Sequence, residues 1–164
     1  MKCDYCELER ERFNIIYEDE LAVAAVKDAA VLPGQVTIFP RQHFTILEMV
    51  PNDVLRHCIV LANKVGSAIF DALEAQGTNI IIQNGLAAGQ NVPHFGIEVI
   101  PRREGDGLNF QWPSKQLTED ELEMLFQELE EGKKTKAEEA PESNEPPTKE
   151  EKENYLLNSL RRLP

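Results

Sequence analysis

Short apolar runs separated by turn-forming residues predict β-strands in the first two thirds of the chain. Pro33-Gly34 and Pro40 bracket one of these runs, as expected for a strand that ends abruptly. The run from Asn79 to Gln83 is apolar at its centre, which predicts a buried strand. The predicted strands are Ile15–Tyr17, Leu21–Val26, Val36–Phe39, Asn79–Gln83 and His94–Ile100.

Two stretches have the hydrophobic spacing of amphipathic helices. The first is predicted to begin at a cap on Asp53 and to end at Gly77. Its apolar positions are Leu55, Ile59, Ala62, Val65, Ile69 and Leu73. The second is predicted to begin at Thr118, with Glu121 three residues later as in a capping box. Its apolar stripe consists of Leu122, Leu125 and Leu129.

The C-terminal part of the chain differs in composition. Residues 131–150 are rich in Glu, Lys and Pro and contain no large apolar residue, which predicts a disordered linker. Residues 151–164 predict a short amphipathic helix, because Leu156, Leu160 and Leu163 share one face. We therefore expect an α+β domain over residues 1–130, with a mostly antiparallel sheet and packed helices.

The net charge of the chain argues against some classes of binding partner. The net charge is −12, and nearly all of it falls on residues 1–130. Such a surface argues against non-specific binding to nucleic acid or to an anionic membrane, both of which require basic residues. No apolar run is long enough for a signal peptide or a membrane span, so we expect a cytoplasmic protein.

The cysteine and histidine spacing indicates a metal site. Cys3 and Cys6 form a C-x-x-C pair, and two histidines would complete a tetrahedral set of ligands. His57 lies within the first predicted helix, where an ordinary helix histidine is expected. His43 and His94 lie at strand ends and are the better candidates. A pair of cysteines that bind no metal remains the alternative at this point.

The strand predicted at residues 94–100 places its candidate functional residues on one face. Alternation puts His94, Gly96 and Glu98 on the side opposite Ile97. The preceding loop, Gly85–Gln90, is built of small residues whose backbone amides are candidates for an anion-binding nest. Glycine-containing loops before strands are common, so this pattern alone indicates phosphate binding only weakly.

Several motifs, in order, resemble those of the histidine triad family. The run G-Q-N-V-P-H-F-G-I-E-V-I-P-R resembles the signature G-Q-x-V-x-H-x-H-x-H, which is often followed by P-R. Upstream segments resemble the family's P-G-H-x-L-V-I-P-K-x-H, its Y-E-D and the C-x-F-C of zinc-bearing members. These matching segments are Gly89–Arg102, Pro33–His43, Tyr17–Asp19 and Cys3–Cys6.

The resemblance implies both a metal and a lost activity. In zinc-bearing members the residues matching Cys3, Cys6, His43 and His94 bind one structural zinc. The middle histidine of the triad, which attacks a nucleotide's α-phosphorus, is replaced here by Gly96.

Other family positions also differ. The third histidine of the triad is replaced by Glu98, whose carboxylate would repel phosphate. The family's histidine after P-G is replaced by Gln35. The position of the acid or Asn that binds ribose in many members is occupied by Lys27, and Asp28 lies one residue away from it. Trp112 lies where members carry an aromatic residue near the partner's site.

The resemblance also implies a ligand and an assembly. Four residues match positions that line the phosphate and leaving-group side of active members: Gln83, Gly89, Gln90 and Asn91. The family is usually homodimeric. We therefore expect a zinc-stapled homodimer that binds a nucleotide or phosphate ligand, or acts as a scaffold, without nucleotidyl transfer. The alternatives are a nucleotide phosphohydrolase in which Glu98 positions water, and a role in which the C-terminal helix binds a protein partner.

Overall fold

A computed structural model describes residues 3–7, 13–27 and 29–139. The chain divides into two compact units, one reaching Asp106 and the other beginning at Gly107. The single domain predicted over residues 1–130 is therefore divided. The division falls where the chain leaves the sheet, because residues 107–118 adopt neither helix nor strand.

The first unit contains a five-stranded sheet in which every neighbouring pair is antiparallel. This confirms the predicted α+β class. The order across the sheet is β1-β2-β3-β5-β4, so β1 and β4 form the edges. The strands are β1 (Phe13–Glu18), β2 (Ala22–Lys27), β3 (Val36–Pro40), β4 (Gly77–Ile81) and β5 (Ile97–Arg102).

One face of the sheet packs against a long helix, α1 (Asn52–Leu73). Predicted apolar positions of the helix, among them Val65 and Ile69, are buried against Ile38, Ile97 and Val99 of the central strands. This alternation on β3 and β5 leaves Thr37 and Glu98 for the opposite face.

The ends of α1 differ from those predicted. Pro51 is the N-cap and its carbonyl accepts the first helical hydrogen bond, from Leu55, so Asp53 lies within the first turn. The helix ends at Leu73 because Glu74 adopts a left-handed conformation (φ 51°). Gly77, predicted to end the helix, is the first residue of β4.

The C-terminal strands are shifted relative to their predicted ranges. β4 begins at Gly77 because it pairs with Arg102, which lies beyond the predicted end of β5. The prediction of a buried strand at β4 was wrong, since Ile80 is 50% exposed. Its position at a sheet edge explains this, because an edge strand has a neighbour on one side only.

The opposite face of the sheet is covered by the N-terminal segment. Cys3 and Tyr5 are buried there against Val23, Ala25 and Phe39. A short segment without strand pairing thus forms a second, smaller core. This is the face on which the candidate ligands of the metal come together.

The second unit contains helix α2 (Glu119–Glu139). The predicted capping box is present: the Glu121 amide donates to Thr118 Oγ1, and the Thr118 amide donates to Glu121 Oε2. The predicted stripe of Leu122, Leu125 and Leu129 is largely exposed.

Helix α2 continues to Glu139, so the linker predicted from residue 131 was wrong over its first part. Glu, Lys and Ala favour a helix even where nothing is buried. The rest of the predicted linker and the predicted helix at 151–164 lie outside the described residues. No described helix is long and apolar enough to cross a membrane.

Candidate metal centre and adjoining pocket

The four predicted metal ligands come together on the sheet face that carries the N-terminal segment. His43 follows the end of β3, and His94 precedes β5, which pairs with β3. Cys3 and Cys6 lie in one turn, in which the Cys3 carbonyl accepts a hydrogen bond from the Cys6 amide at 3.0 Å. Strand pairing and one local turn therefore assemble residues that are far apart in sequence.

The distances fit a tetrahedral metal site. The four ligand atoms all lie within 4.8 Å of one another. Sulfur–nitrogen distances are 3.4 Å for Cys3–His94, 3.1 Å for Cys6–His43 and 3.5 Å for Cys6–His94. Bond lengths typical of tetrahedral zinc place neighbouring sulfur and nitrogen ligands about 3.6 Å apart. These side chains could hold a metal ion with only small adjustments.

The two histidines are oriented by contacts behind the site. The Nε2 atom of His94 lies 2.9 Å from the Pro40 carbonyl oxygen. A carbonyl can only accept, so Nε2 carries the proton and Nδ1 offers its lone pair to the cysteines. The His43 Nε2 atom lies 3.3 Å from Thr45 Oγ1, and its Nδ1 atom also faces the cluster.

The two thiols have opposite tendencies to ionise. Burial acts to raise the pKa of Cys3, but hydrogen bonds with His43 and His94 outweigh it and lower the pKa to about 5. Burial, followed by the hydrogen bond with Cys3 and its charge, raises the pKa of Cys6 to about 11. Near neutral pH, the two cysteines without a metal therefore carry one negative charge between them. A divalent cation would favour loss of the second proton.

A pocket adjoins this cluster. It is a small depression, open to solvent, with a cavity volume of about 20 Å³. Its lining consists of Tyr5, Gln83, Gln90, Asn91, Val92, His94, Gly96 and Glu98. The sequence-predicted face of His94, Gly96 and Glu98 is therefore brought together with three of the predicted ligand-binding residues. His94 belongs to both the cluster and the pocket.

Gly96 contributes no side chain to the pocket. A β-carbon built there would lie 3.5 Å from Tyr5 Cε2 and 3.6 Å from Thr37 Cγ2. These are ordinary contact distances, so the backbone does not require glycine at this position. The sequence alone did not identify Tyr5 as a pocket residue, although its position between two metal ligands was a usable signal.

Glu98 is tied to β3 by two hydrogen bonds on one oxygen. Gln35 Nε2 and Thr37 Oγ1 each donate to its Oε2 atom at 2.7 Å. Gln35 also accepts a hydrogen bond from the Val31 amide at Oε1. Two departures from the family pattern, Gln35 and Glu98, therefore contact each other.

The glycine-containing loop is organised by Gln90. The Gln90 side chain accepts from the Gly85 amide at 2.8 Å and donates to the Thr45 and Val92 carbonyls. Backbone amides of Ala88 and Gln90 donate to the Gly85 carbonyl. Gln90 and these two amides thus support the loop, in contrast to the predicted direct ligand contacts and anion nest.

Gly89 closes the same loop in a conformation that favours glycine, with φ +87°. A β-carbon there would lie 2.7 Å from Gln83 Nε2. Gln83 therefore packs closely over the loop, and Asn91 is exposed beside it. Of the predicted ligand-binding set, these two side chains are the available polar groups at the pocket rim.

Two further predicted residues lie elsewhere. Lys27 ends β2, and its side chain is outside the described part of the structure, as is Asp28. Trp112 belongs to the second unit and is 81% exposed.

The remaining histidine and cysteine have structural surroundings. His57 Nε2 lies 2.6 Å from Asp19 Oδ2, which also accepts a hydrogen bond from the Tyr17 hydroxyl. The Y-E-D motif thus links the β1–β2 turn to α1. Cys58 is fully buried in the core, where burial and the charge of Asp19 raise its pKa to about 11. Such a thiol is unreactive.

Similar proteins of known sequence are nucleotide hydrolases or uncharacterised. An adenylylsulfatase of Arabidopsis thaliana is 29% identical over 74% of this chain and 61% of its own length. An asymmetrical bis(5'-nucleosyl)-tetraphosphatase of Schizosaccharomyces pombe is 32% identical over 57% of this chain and 51% of its own length. The chain thus spans only about half to three fifths of these relatives.

Solved structures of similar proteins share the fold. A HIT family protein from Bacillus anthracis matches with a TM-score of 0.70 and 26% identity, over 80% of this chain and 96% of its own. A zinc-bound histidine triad family protein from Mycobacterium smegmatis matches with a TM-score of 0.62 and 27% identity, over 80% of this chain and 98% of its own. The HIT domain model matches residues 9–105, more than half of the chain, and this protein therefore belongs to the histidine triad family.

Proposed function

We propose that this protein is a zinc-stapled histidine triad protein that binds a small ligand or serves as a scaffold, and that it does not carry out nucleotidyl transfer. One observation carries the proposal: Gly96 lies in the pocket between His94 and Glu98. Covalent nucleotidyl transfer requires an attacking side chain, and glycine has none. Removal of a nucleophile lowers the rate by roughly 10⁶ in the subtilisin example.

His94 is a poor substitute for the missing nucleophile. Its Nδ1 atom faces the two cysteines, and its Nε2 atom donates to the Pro40 carbonyl. Both nitrogens are therefore engaged. With a metal bound, the lone pair of Nδ1 would be shared with the ion.

Zinc is the metal that the donor set favours. Two thiolates and two imidazoles in a tetrahedral arrangement are typical of a closed structural zinc site. Zinc held there would fasten the N-terminal turn to the ends of β3 and β5 and would supply no open coordination position for catalysis. Its thiolate ligands require a reducing compartment, in keeping with the cytoplasmic location that we propose.

Nucleotides are the ligand class that we propose to test first, because several relatives are named for nucleotide substrates. Gln83 and Asn91 would supply hydrogen bonds at the rim of the pocket. Exposed apolar residues on α1 and the edge strand β4, including Phe70 and Ile80, are compatible with the homodimer expected for the family.

Hydrolysis by Glu98 is the second candidate, since its carboxylate lines the same pocket as Gln83. The two donors on Oε2 count against it, because they hold the carboxylate toward Gln35 and Thr37. A base that positions water needs an oxygen directed at that water. We therefore favour the binding role.

The test uses full-length protein with its metal content measured. We expect about one zinc per chain, measurable binding of AMP, and negligible hydrolysis of adenosine 5'-phosphoramidate. Turnover of that substrate, abolished by Glu98→Gln, would favour the hydrolase instead. A scaffold role remains if zinc is present but AMP does not bind.

A further inference from the structure

Tyr5 links the metal cluster to the pocket. It lies between Cys3 and Cys6 in sequence, yet its ring is 5% exposed and lines the pocket. The ring stacks on Phe39, with centroids 4.4 Å apart and an angle of 20° between the planes. The centroid of the His94 ring is 5.5 Å away.

The Tyr5 ring covers Gly96. A β-carbon on Gly96 would meet Tyr5 Cε2 at 3.5 Å, before it meets any other side chain or backbone atom. A ligand atom that approaches Gly96 would therefore contact this ring. The pocket wall beside Gly96 is an aromatic side chain supplied by the N-terminal segment.

Side-chain contacts hold that segment in place, since it forms no strand. Residues 3–7 form a turn in which the Cys3 carbonyl accepts hydrogen bonds from the Cys6 and Glu7 amides. The turn belongs to no strand, so it gains no pairing with the sheet. The packing of Cys3 and Tyr5 on the sheet and the cysteine–histidine cluster join it to the rest of the protein.

We propose that Tyr5 is a positioning residue of the pocket and that the metal fixes it there. Ligation of Cys3 and Cys6 holds the intervening residue against Gly96, and loss of the metal releases it and opens this side of the pocket. The proposal rests on the metal site of the proposed function. Metal content would then control access to the pocket without taking part in any reaction.

The test measures access to position 96 directly. Gly96→Cys places a thiol beside Tyr5, where its β-carbon makes only ordinary contacts. Alkylation of this thiol by iodoacetamide is followed by mass spectrometry of the peptide that contains residue 96, which separates it from Cys3 and Cys6. In zinc-loaded protein we expect slow alkylation, and a rate at least tenfold higher after treatment with a zinc chelator.

Variants at Tyr5 distinguish the effect of the ring on the alkylation rate from the effect of the metal. In the Gly96→Cys background, Tyr5→Ala should raise the rate at least tenfold with zinc still bound, and the chelator should add little more. Tyr5→Phe retains the ring and should react as slowly as the parent. Tyr17→Ala, which removes a tyrosine far away in sequence and absent from the pocket lining, should also leave the rate unchanged.

Two outcomes would overturn the proposal. Equal rates for Tyr5→Ala and Tyr5→Phe, both shown to be folded by circular dichroism, would mean that the ring does not cover position 96. An unchanged rate after zinc removal would mean that the metal does not fix it. If the purified protein contains no zinc, the metal site itself fails, and the Tyr5 comparison still reports on the ring.

Discussion

At the scale of single residues, departures from the family pattern are coupled to one another. Gln35 donates to Glu98, and Thr37 donates to the same oxygen. Tyr5 covers the glycine that stands in the place of the nucleophile. The pocket has thus acquired an internally satisfied network around an acidic side chain. Such a network holds Glu98 in place and leaves His94 to the metal cluster.

The metal site gives a prediction for one residue. His94→Ala removes a buried ligand and should lower the zinc content from about one per chain to well below that value. Amide hydrogen exchange in residues 3–7 should increase, because the turn loses its anchor. His57→Ala is the matched control, since His57 lies on α1, pairs with Asp19 and is not part of the metal cluster. Unchanged zinc in His94→Ala would contradict the assignment.

A second prediction concerns Asp19. Burial acts to raise its pKa, but hydrogen bonds from the Ala22 amide, the Tyr17 hydroxyl, the Leu21 amide and His57 hold it well below its usual range. A lowered pKa in the folded state stabilises the protein above the pKa of the unfolded state, about 3.9. That contribution is lost as the pH falls further.

Asp19→Asn should therefore lower the free energy of unfolding by about 1–2 kcal/mol near pH 7. The difference from wild type should shrink below about pH 4, as the wild-type carboxylate becomes protonated in the unfolded state. Urea titrations over this pH range measure it, with Glu20→Gln in the same turn as control. A pH-independent difference would mean that the charge of Asp19 is not what stabilises the turn.

At the scale of elements, the sequence predicts those whose stability is local. His94, Gly96 and Glu98 lie together in one pocket as predicted, although His94 and Gly96 precede β5, and the Thr118 capping box begins α2 as expected. The ends of α1 were missed because Pro51 and Glu74 act through backbone conformation. The contact between Gln35 and Glu98 depends on strand register, which no local pattern contains.

The loop before β5 gives a prediction at this scale. Gly89→Ala and Gly105→Ala both place alanine at positive φ, +87° and +75°, and each should cost about 1 kcal/mol in stability. Only the former crowds Gln83, since a β-carbon at Gly105 meets nothing within 4 Å. The dissociation constant for AMP should therefore be higher in Gly89→Ala than in Gly105→Ala. Equal dissociation constants would exclude Gln83 as a ligand contact.

At the scale of the whole molecule, the family fold is retained, and the absence of the reacting group is our proposal. The sheet, α1 and the cysteine–histidine cluster agree with a zinc-bearing histidine triad protein. The pocket beside that cluster is lined by Gly96, where we propose that the family's attacking imidazole is missing.

The most direct measurement is a search for a covalent nucleotidyl intermediate on the wild-type protein. Zinc-loaded protein is mixed with labelled adenosine 5'-phosphoramidate, quenched in denaturant at alkaline pH because acid cleaves the bond between phosphorus and a histidine nitrogen, and analysed by intact mass and by retained label. A histidine triad protein with the intact motif, assayed alongside, establishes that the intermediate can be trapped. We predict no labelled nucleotide on this protein at any time. Label attached to any of its side chains would contradict the account.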